Sequence, residues 1–208
     1  MYWDKTSSVP STLSLNANIR AYLRPEDRVI DLGCGSGRML AELAEDGVTG
    51  IKIGVDRNLP GLRQALERGF PAARADLAAL PFVAASFDAG ILHAVLTTVL
   101  PRAARLAVLA EAGRVGCRVL CIADFLQNWD LPYYRARYEA GEAETGERGS
   151  FLVREGGEVL YAAHHFTLDE LSGLLDEAGF RVAFVDTPLV RTRSGNVVRG
   201  VSLAAVPL

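Results

Sequence analysis

Apolar positions recur along the chain with two periods, and the switching between them lays out its elements. The run from Arg28 to Leu32 predicts strand 1, which ends abruptly at a cluster of glycines. Met39, Leu40 and Leu43 then share one face of a helix from Arg38 to Glu45. Runs at 51–55, 72–75, 87–92 and 118–124 predict strands 2 to 5. Between them, a helix from Pro60 to Arg68 turns Leu62, Ala65 and Leu66 inward, and Gly69 supplies a left-handed cap. Pro101 opens the helix before strand 5 at the favoured first position. Leu15, Ile19, Tyr22 and Leu23 have the spacing of a leading amphipathic helix.

Near the end, Thr167 and Glu170 form a capping box ahead of the stripe Leu168, Leu171, Leu174 and Leu175, and Gly179 closes that helix. Phe180–Val185 and Val197–Val206 follow with no helix between them, which predicts an antiparallel pair at one edge of the sheet. Strands alternating with helices imply βαβ units and a doubly wound α/β sheet. Residues 126–165 break the rhythm, with no clear periodicity around Tyr133, Tyr134, Tyr138 and Tyr161. Inserted after strand 5, they lie above the strand ends where ligands bind in such sheets. We expect a lid there, hinged at its glycines, with Tyr134 as a substrate contact and Tyr2 and Trp3 folding against the same opening.

Composition narrows the class. The 208 residues suit one domain, 1–208, and with 50% apolar and 23% charged residues the chain has enough apolar surface to fold around a core. A net charge of −3 and the lack of any basic run argue against nucleic acid or an anionic membrane as partner. No signal-like start and no bilayer-length apolar segment are present, so the cytoplasm is the expected location. Cys34, Cys117 and Cys121 read as buried thiols, and with only His93, His164 and His165 there is no metal-ligand spacing.

The chemistry is concentrated in Asp31-Leu32-Gly33-Cys34-Gly35-Ser36-Gly37. A glycine turn between a buried strand and a helix lets backbone amides approach a ligand closely. The dinucleotide fingerprint needs a sixth-position glycine where Arg38 stands, and the Gly-Lys-Ser/Thr of a P-loop is absent. Asp56, at the end of strand 2 beside Arg57, suits the two hydroxyls of a ribose, and Asp76-Leu77 after strand 3 suits an adenine amine.

With Leu80-Pro81-Phe82, Ser86-Phe87-Asp88 and His165-Phe166-Thr167, these residues resemble the class I S-adenosylmethionine-dependent methyltransferases over nearly the whole chain. Within that class they are most similar to the small bacterial enzymes related to the ubiquinone/menaquinone and sterol methyltransferases. The resemblance implies a Rossmann-like seven-stranded sheet of order 3-2-1-4-5-7-6, with strand 7 antiparallel. It also implies S-adenosylmethionine lying across the ends of strands 1, 2 and 4, held by Asp31, Gly33, Cys34, Gly35, Gly37, Asp56, Arg57, Asp76, Leu77 and His93. Arg114-Val115-Gly116-Cys117 departs from the family's usual turn before strand 5.

The acceptor is not named by these motifs. His93 is a candidate base or a pocket-lining residue, and His164 and His165 are candidate catalytic or substrate contacts. Tyr2 and Trp3 join Tyr134 as candidate substrate contacts, and Arg191, Arg193 and Arg199 are candidates for an acidic acceptor. Three readings stand: methyl transfer to a small molecule, a cofactor-binding module without catalysis, and a nicotinamide-dependent oxidoreductase, which Arg38 disfavours.

Overall fold

β1 (Val29–Leu32) and β5 (Val119–Phe125) are buried along their whole length, as strands covered on both faces must be. The structure, a computed structural model, describes residues 2–4, 12–192 and 194–208. β1, β2 (Lys52–Asp56), β3 (Ala72–Arg74), β4 (Ala89–His93) and β5 run parallel. β6 (Ser150–Glu155) and β7 (Glu158–His164) form a separate antiparallel hairpin. β8 (Phe180–Asp186), β9 (Leu189–Arg191) and β10 (Val197–Pro207) follow. The main sheet has the order β3-β2-β1-β4-β5-β10-β8, and β10 is antiparallel to both neighbours. That is the expected order, with β10 as the seventh strand. The small β9, which pairs with the start of β10, is an addition to it.

Successive strand residues feed opposite cores. Ile30, Leu32, Leu120 and Ile122 pack against Leu109 of α4 (Arg102–Arg114) and Leu171, Leu174 and Leu175 of α6 (Leu168–Glu177). Val29, Val119, Cys121 and Ala123 face the other way, toward Met39 and Leu43 of α2 (Arg38–Glu45) and the N-terminal Leu13, Leu15 and Ile19. Each fully buried leucine of the α6 stripe contributes roughly 1.5–3 kcal/mol. The Thr167–Glu170 capping box and the left-handed Gly179 end that helix as read. α3 (Leu59–Glu67) is capped by Asn58, which leaves Pro60 within its first turn.

Four helix expectations need correction. Leu66 of α3 and Leu168 of α6, read as facing inward, are exposed. The leading helix is a single turn, α1 (Ala17–Arg20), because the Asn16 side chain caps Ile19 N and Pro25 disfavours helix at Arg24. Leu13 and Leu15 are nonetheless buried ahead of it, so the apolar spacing reports burial rather than helix length. Pro101 sits at the N-cap of α4, one residue before the first helical position.

The aperiodic segment is ordered as α5 (Pro132–Thr145) followed by the β6–β7 hairpin. Its buried residues are Tyr134, Tyr138 and Gly141, a helical stripe one residue wide without an aliphatic member. Gly141 is needed because a Cβ there would stand 2.6 Å from Phe151 Cα in β6. The segment leaves and returns at one place, where Gln127 N donates to Phe166 O at 2.8 Å and Phe166 N to Phe125 O at 3.0 Å. Among the described residues, no helix is long and apolar enough to cross a membrane.

Candidate active site

Where β1 ends, the chain turns through Gly33, Gly35 and Gly37, each with positive φ. Gly33 N and Cys34 N both donate to Val55 O, at 2.7 and 3.1 Å, which hangs the turn on the end of β2. The next residue of β2 is locked in return: Asp56 accepts from Gly35 N at 2.8 Å and from Asn58 N at 2.9 Å. Glycine at 33 and 37 is also demanded by packing. A Cβ on Gly33 would lie 2.5 Å from Val95 Cγ2, and one on Gly37 would lie 3.0 Å from Ala65 Cβ. Gly61 of α3, unremarked in the sequence, packs against the same turn, 2.8 Å from Gly35 O to a built Cβ.

A cavity of about 360 Å³ opens at the carboxyl ends of β1, β2 and β4. Asp31, Gly33, Cys34, Asp56 and Arg57 line it on one side, and Asp76, Leu77 and His93 on others. Gly35 and Gly37 act behind it, through the Asp56 contact and the Ala65 packing. Asp31 is almost fully buried, and among the described residues no group hydrogen-bonds its carboxyl. Burial, and then the charge of Asp56, push that carboxyl up to about 7. A buried acid beside a second acid is a site for a cation. Asp76 is held below the usual carboxylate range by the Ala78 amide and by Arg57, whose Nη2 is 2.6 Å away.

His93 is the last residue of β4 rather than the first beyond it. Its Nε2 lies 2.9 Å from Leu13 O, so Nε2 carries the proton that a carbonyl requires. Burial pushes its pKa down, which favours the neutral ring. Trp3 also lines this cavity, and its carbonyl accepts from Asn58 Nδ2 at 2.6 Å. The rings of Tyr2 and Trp3 sit 4.8 and 4.7 Å from that of Tyr161 in β7, so the N-terminal turn meets the hairpin. Sequence reasoning missed the apolar wall of Val95, Thr98, Val99 and Leu100, which carries no chemistry of its own to mark it. It also missed Asp124, buried at the end of β5, whose carboxylate accepts from Thr97 N and Phe125 N and so fixes that wall.

A second cavity, of about 230 Å³, shares one lining residue, Thr98, with the first. Tyr134 and His165 line it with Phe125, Phe151 and Tyr161. His164 does not reach either cavity. It is fully buried in a junction where Arg105 makes a bidentate pair with Glu147 at 2.7–2.8 Å and Ser150 Oγ lies 2.8 Å from His164 Nδ1. Its Nε2 is 2.8 Å from Glu170 Oε1, at ion-pair distance but off the hydrogen-bond direction. This junction ties α4, the segment after β5 and the start of α6 together. Arg199 is committed to Asp130 at 2.8–2.9 Å, and Arg191 donates to Gly195 O. Arg193 lies outside the described residues.

Residues 29–116 match the family model described as a methyltransferase domain. The chain is 33% identical to a SAM-dependent methyltransferase of Methanosarcina mazei, with a TM-score of 0.88 and coverage of 94% of this chain and 99% of that one. It is 29% identical to the O-methyltransferase cnsE of Penicillium expansum over 87% of this chain and 64% of that protein. It is 36% identical to a demethylmenaquinone methyltransferase of Beutenbergia cavernae over 49% of this chain and 42% of that protein. The chain thus spans between about two fifths and just under two thirds of the length of the curated relatives it matches. Near-complete coverage of the Methanosarcina protein, together with the acid-lined glycine turn, shows that the chain belongs to the S-adenosylmethionine-dependent methyltransferases, with S-adenosylmethionine as its cofactor.

Proposed function

We propose that this chain transfers the methyl group of S-adenosylmethionine to a small-molecule acceptor. In this reading it works in the cytoplasm as a single domain whose residues 126–165 cover the acceptor. The observation that carries the proposal is a pair of cavities on either side of Thr98, one lined by acids and the other by aromatic rings.

The residues fit the cofactor. A carboxylate has about four lone-pair sites, and Asp56 gives only two to Gly35 N and Asn58 N. The remaining two suit the ribose hydroxyls. Asp31, buried and without a partner among the described residues, suits the cationic methionyl end. Asp76 and Leu77, which line the same cavity, suit the adenine, with Arg57 steadying Asp76. Bound there, the cofactor supplies a methyl group already activated by its sulfonium.

The chain's own work is then to align an acceptor and keep water out. Neutral His93, anchored to Leu13 O, lines the cofactor cavity and presents no positive charge beside a sulfonium. α5, the hairpin and the Tyr2–Trp3 turn roof the junction between the cavities. The second cavity favours an enzyme over a module that only binds cofactor, because a pure binder has no use for a second site beside the first. Incubating the protein with S-adenosylmethionine and a metabolite library, and measuring release of S-adenosylhomocysteine, tests the proposal. Cofactor binding without release above the protein-free rate for any member counts against catalysis.

A further inference from the structure

His165 is a polar group at the centre of an aromatic box. Its ring stacks on Phe125 at 5.3 Å, meets Phe151 edge to face at 5.0 Å and lies 5.2 Å from Tyr134. Its Nδ1 is 2.7 Å from the Tyr138 hydroxyl. That hydroxyl accepts from Asn128 N at 3.2 Å, which leaves its own proton for His165 Nδ1. The remaining ring proton then belongs on Nε2, making His165 a donor through that atom. Burial pushes the pKa of His165 down to about 3, so it stays neutral and is not a base at physiological pH.

No group among the described residues pairs with His165 Nε2. Sealed side-chain atoms without a partner occur, among the described residues, on Arg105, Arg118, His164 and Ser202. His165 is absent from that set, so its Nε2–H reaches solvent, and the second cavity is the opening its ring lines. A donor that opens on a cavity is available to an acceptor oxygen of a ligand.

Arg137 lines the same cavity. Its guanidinium lies 4.3 Å from the centroid of Phe151 and donates to Tyr133 Oη at 2.8 Å, and among the described residues no carboxylate pairs with it. The other charged lining residues are engaged: Arg154 with Glu144 at 2.7 Å, and Glu155 with a partner of its own. Among the described residues, the cavity therefore offers flat aromatic walls, the neutral N–H of His165 and, in Arg137, a cation without a carboxylate partner. At about 230 Å³ it exceeds the roughly 150 Å³ that holds a benzene ring, leaving room for substituents.

We propose that this cavity is the acceptor site and takes a planar aromatic molecule bearing a carboxylate, received by the Nε2–H of His165 and the guanidinium of Arg137. The inference rests on the methyltransferase reading and adds the chemical class of its acceptor.

The test is calorimetry on protein saturated with S-adenosylhomocysteine, using 4-hydroxybenzoate, its neutral analogue 4-hydroxybenzamide, and the non-planar anion cyclohexanecarboxylate. 4-Hydroxybenzoate should bind at least about tenfold more tightly than either of the others, a factor equal to about 1.4 kcal/mol. Arg137→Gln should erase the preference for the acid over the amide, and Arg137→Lys should keep most of it. His165→Phe, which fills the same space without a donor, should weaken 4-hydroxybenzoate while leaving S-adenosylhomocysteine affinity unchanged. If S-adenosylhomocysteine binds but 4-hydroxybenzoate shows no advantage, or keeps it in Arg137→Gln, the acceptor assignment is wrong and the methyltransferase reading stands. If S-adenosylhomocysteine itself does not bind to folded protein, both fall.

Discussion

Acidification should loosen the cofactor through Asp31 in particular. Its carboxyl has a pKa of about 7 in the free protein, raised by burial and by Asp56, and it lines the cavity with no partner among the described residues. To receive a cation it must first lose its proton, so binding and ionisation are linked. With the pKa at about 7, the ionised fraction is about nine-tenths at pH ~8 and about 3% at pH ~5.5. Affinity for S-adenosylhomocysteine should therefore fall about 30-fold across that range, about 2 kcal/mol. Near pH ~6 each binding event should release close to one proton, visible as a calorimetric heat that scales with the ionisation enthalpy of the buffer. Asp31→Asn should bind roughly ten- to a hundredfold more weakly at high pH, since a charge-assisted bond contributes about 1.5–3 kcal/mol, and should lose the pH slope. Asp124 also has a pKa of about 7 but does not line the cavity, and the Asp31→Asn variant, which keeps Asp124, separates the two. An affinity constant within twofold from pH ~5.5 to ~8, or an equal slope in the Asn variant, would refute the reasoning.

Four further outcomes follow from the same geometry. Asp31 and Asp124 hold protons up to about pH 7 when folded, whereas unfolded carboxyls ionise near pH ~4. Stability should thus fall as pH rises through that window, by up to about 1.4 kcal/mol per pH unit for each group, and urea midpoints should show a shallower slope in Asp124→Asn. Gly33→Ala combines a left-handed φ of 85° with a Cβ 2.5 Å from Val95 Cγ2; the expected loss is about 2–5 kcal/mol by urea unfolding, and adding Val95→Ala should restore only the steric part. Arg105→Met strands Glu147 and should cost about 3–5 kcal/mol, while the double variant Arg105→Met, Glu147→Leu should cost less; equal losses would mean that the pair is not what holds the junction. Amides from 126 to 161 should gain protection from hydrogen exchange when S-adenosylhomocysteine and an acceptor are both bound. Protection confined to the Gly33–Gly37 turn would remove the roof from the mechanism.

The alternation of strands and helices, the glycine turn, the capped α6 and the acids at the strand ends were legible in the sequence, each by a local rule: apolar period, cap chemistry, and an acid ending a strand. The strand order came with the family resemblance. Asp31, Asp56 and Asp76 were legible because parallel strands put their carboxyl ends on one rim, so spacing along the chain becomes neighbourhood in space. Reasons that depend on remote contacts were not legible. Gly37 is required by Ala65, Gly61 by Gly35 O, and Gly141 by Phe151, each partner distant or on another element. α5 stayed hidden because its inner face is two tyrosines and a glycine, which no aliphatic stripe announces. His164 and His165 are adjacent in the chain, yet the change of side at the end of β7 sends one into the Arg105–Glu147 junction and the other into the aromatic cavity. The two rings differ only in the partners that the fold brings to each, which no spacing along the chain reveals.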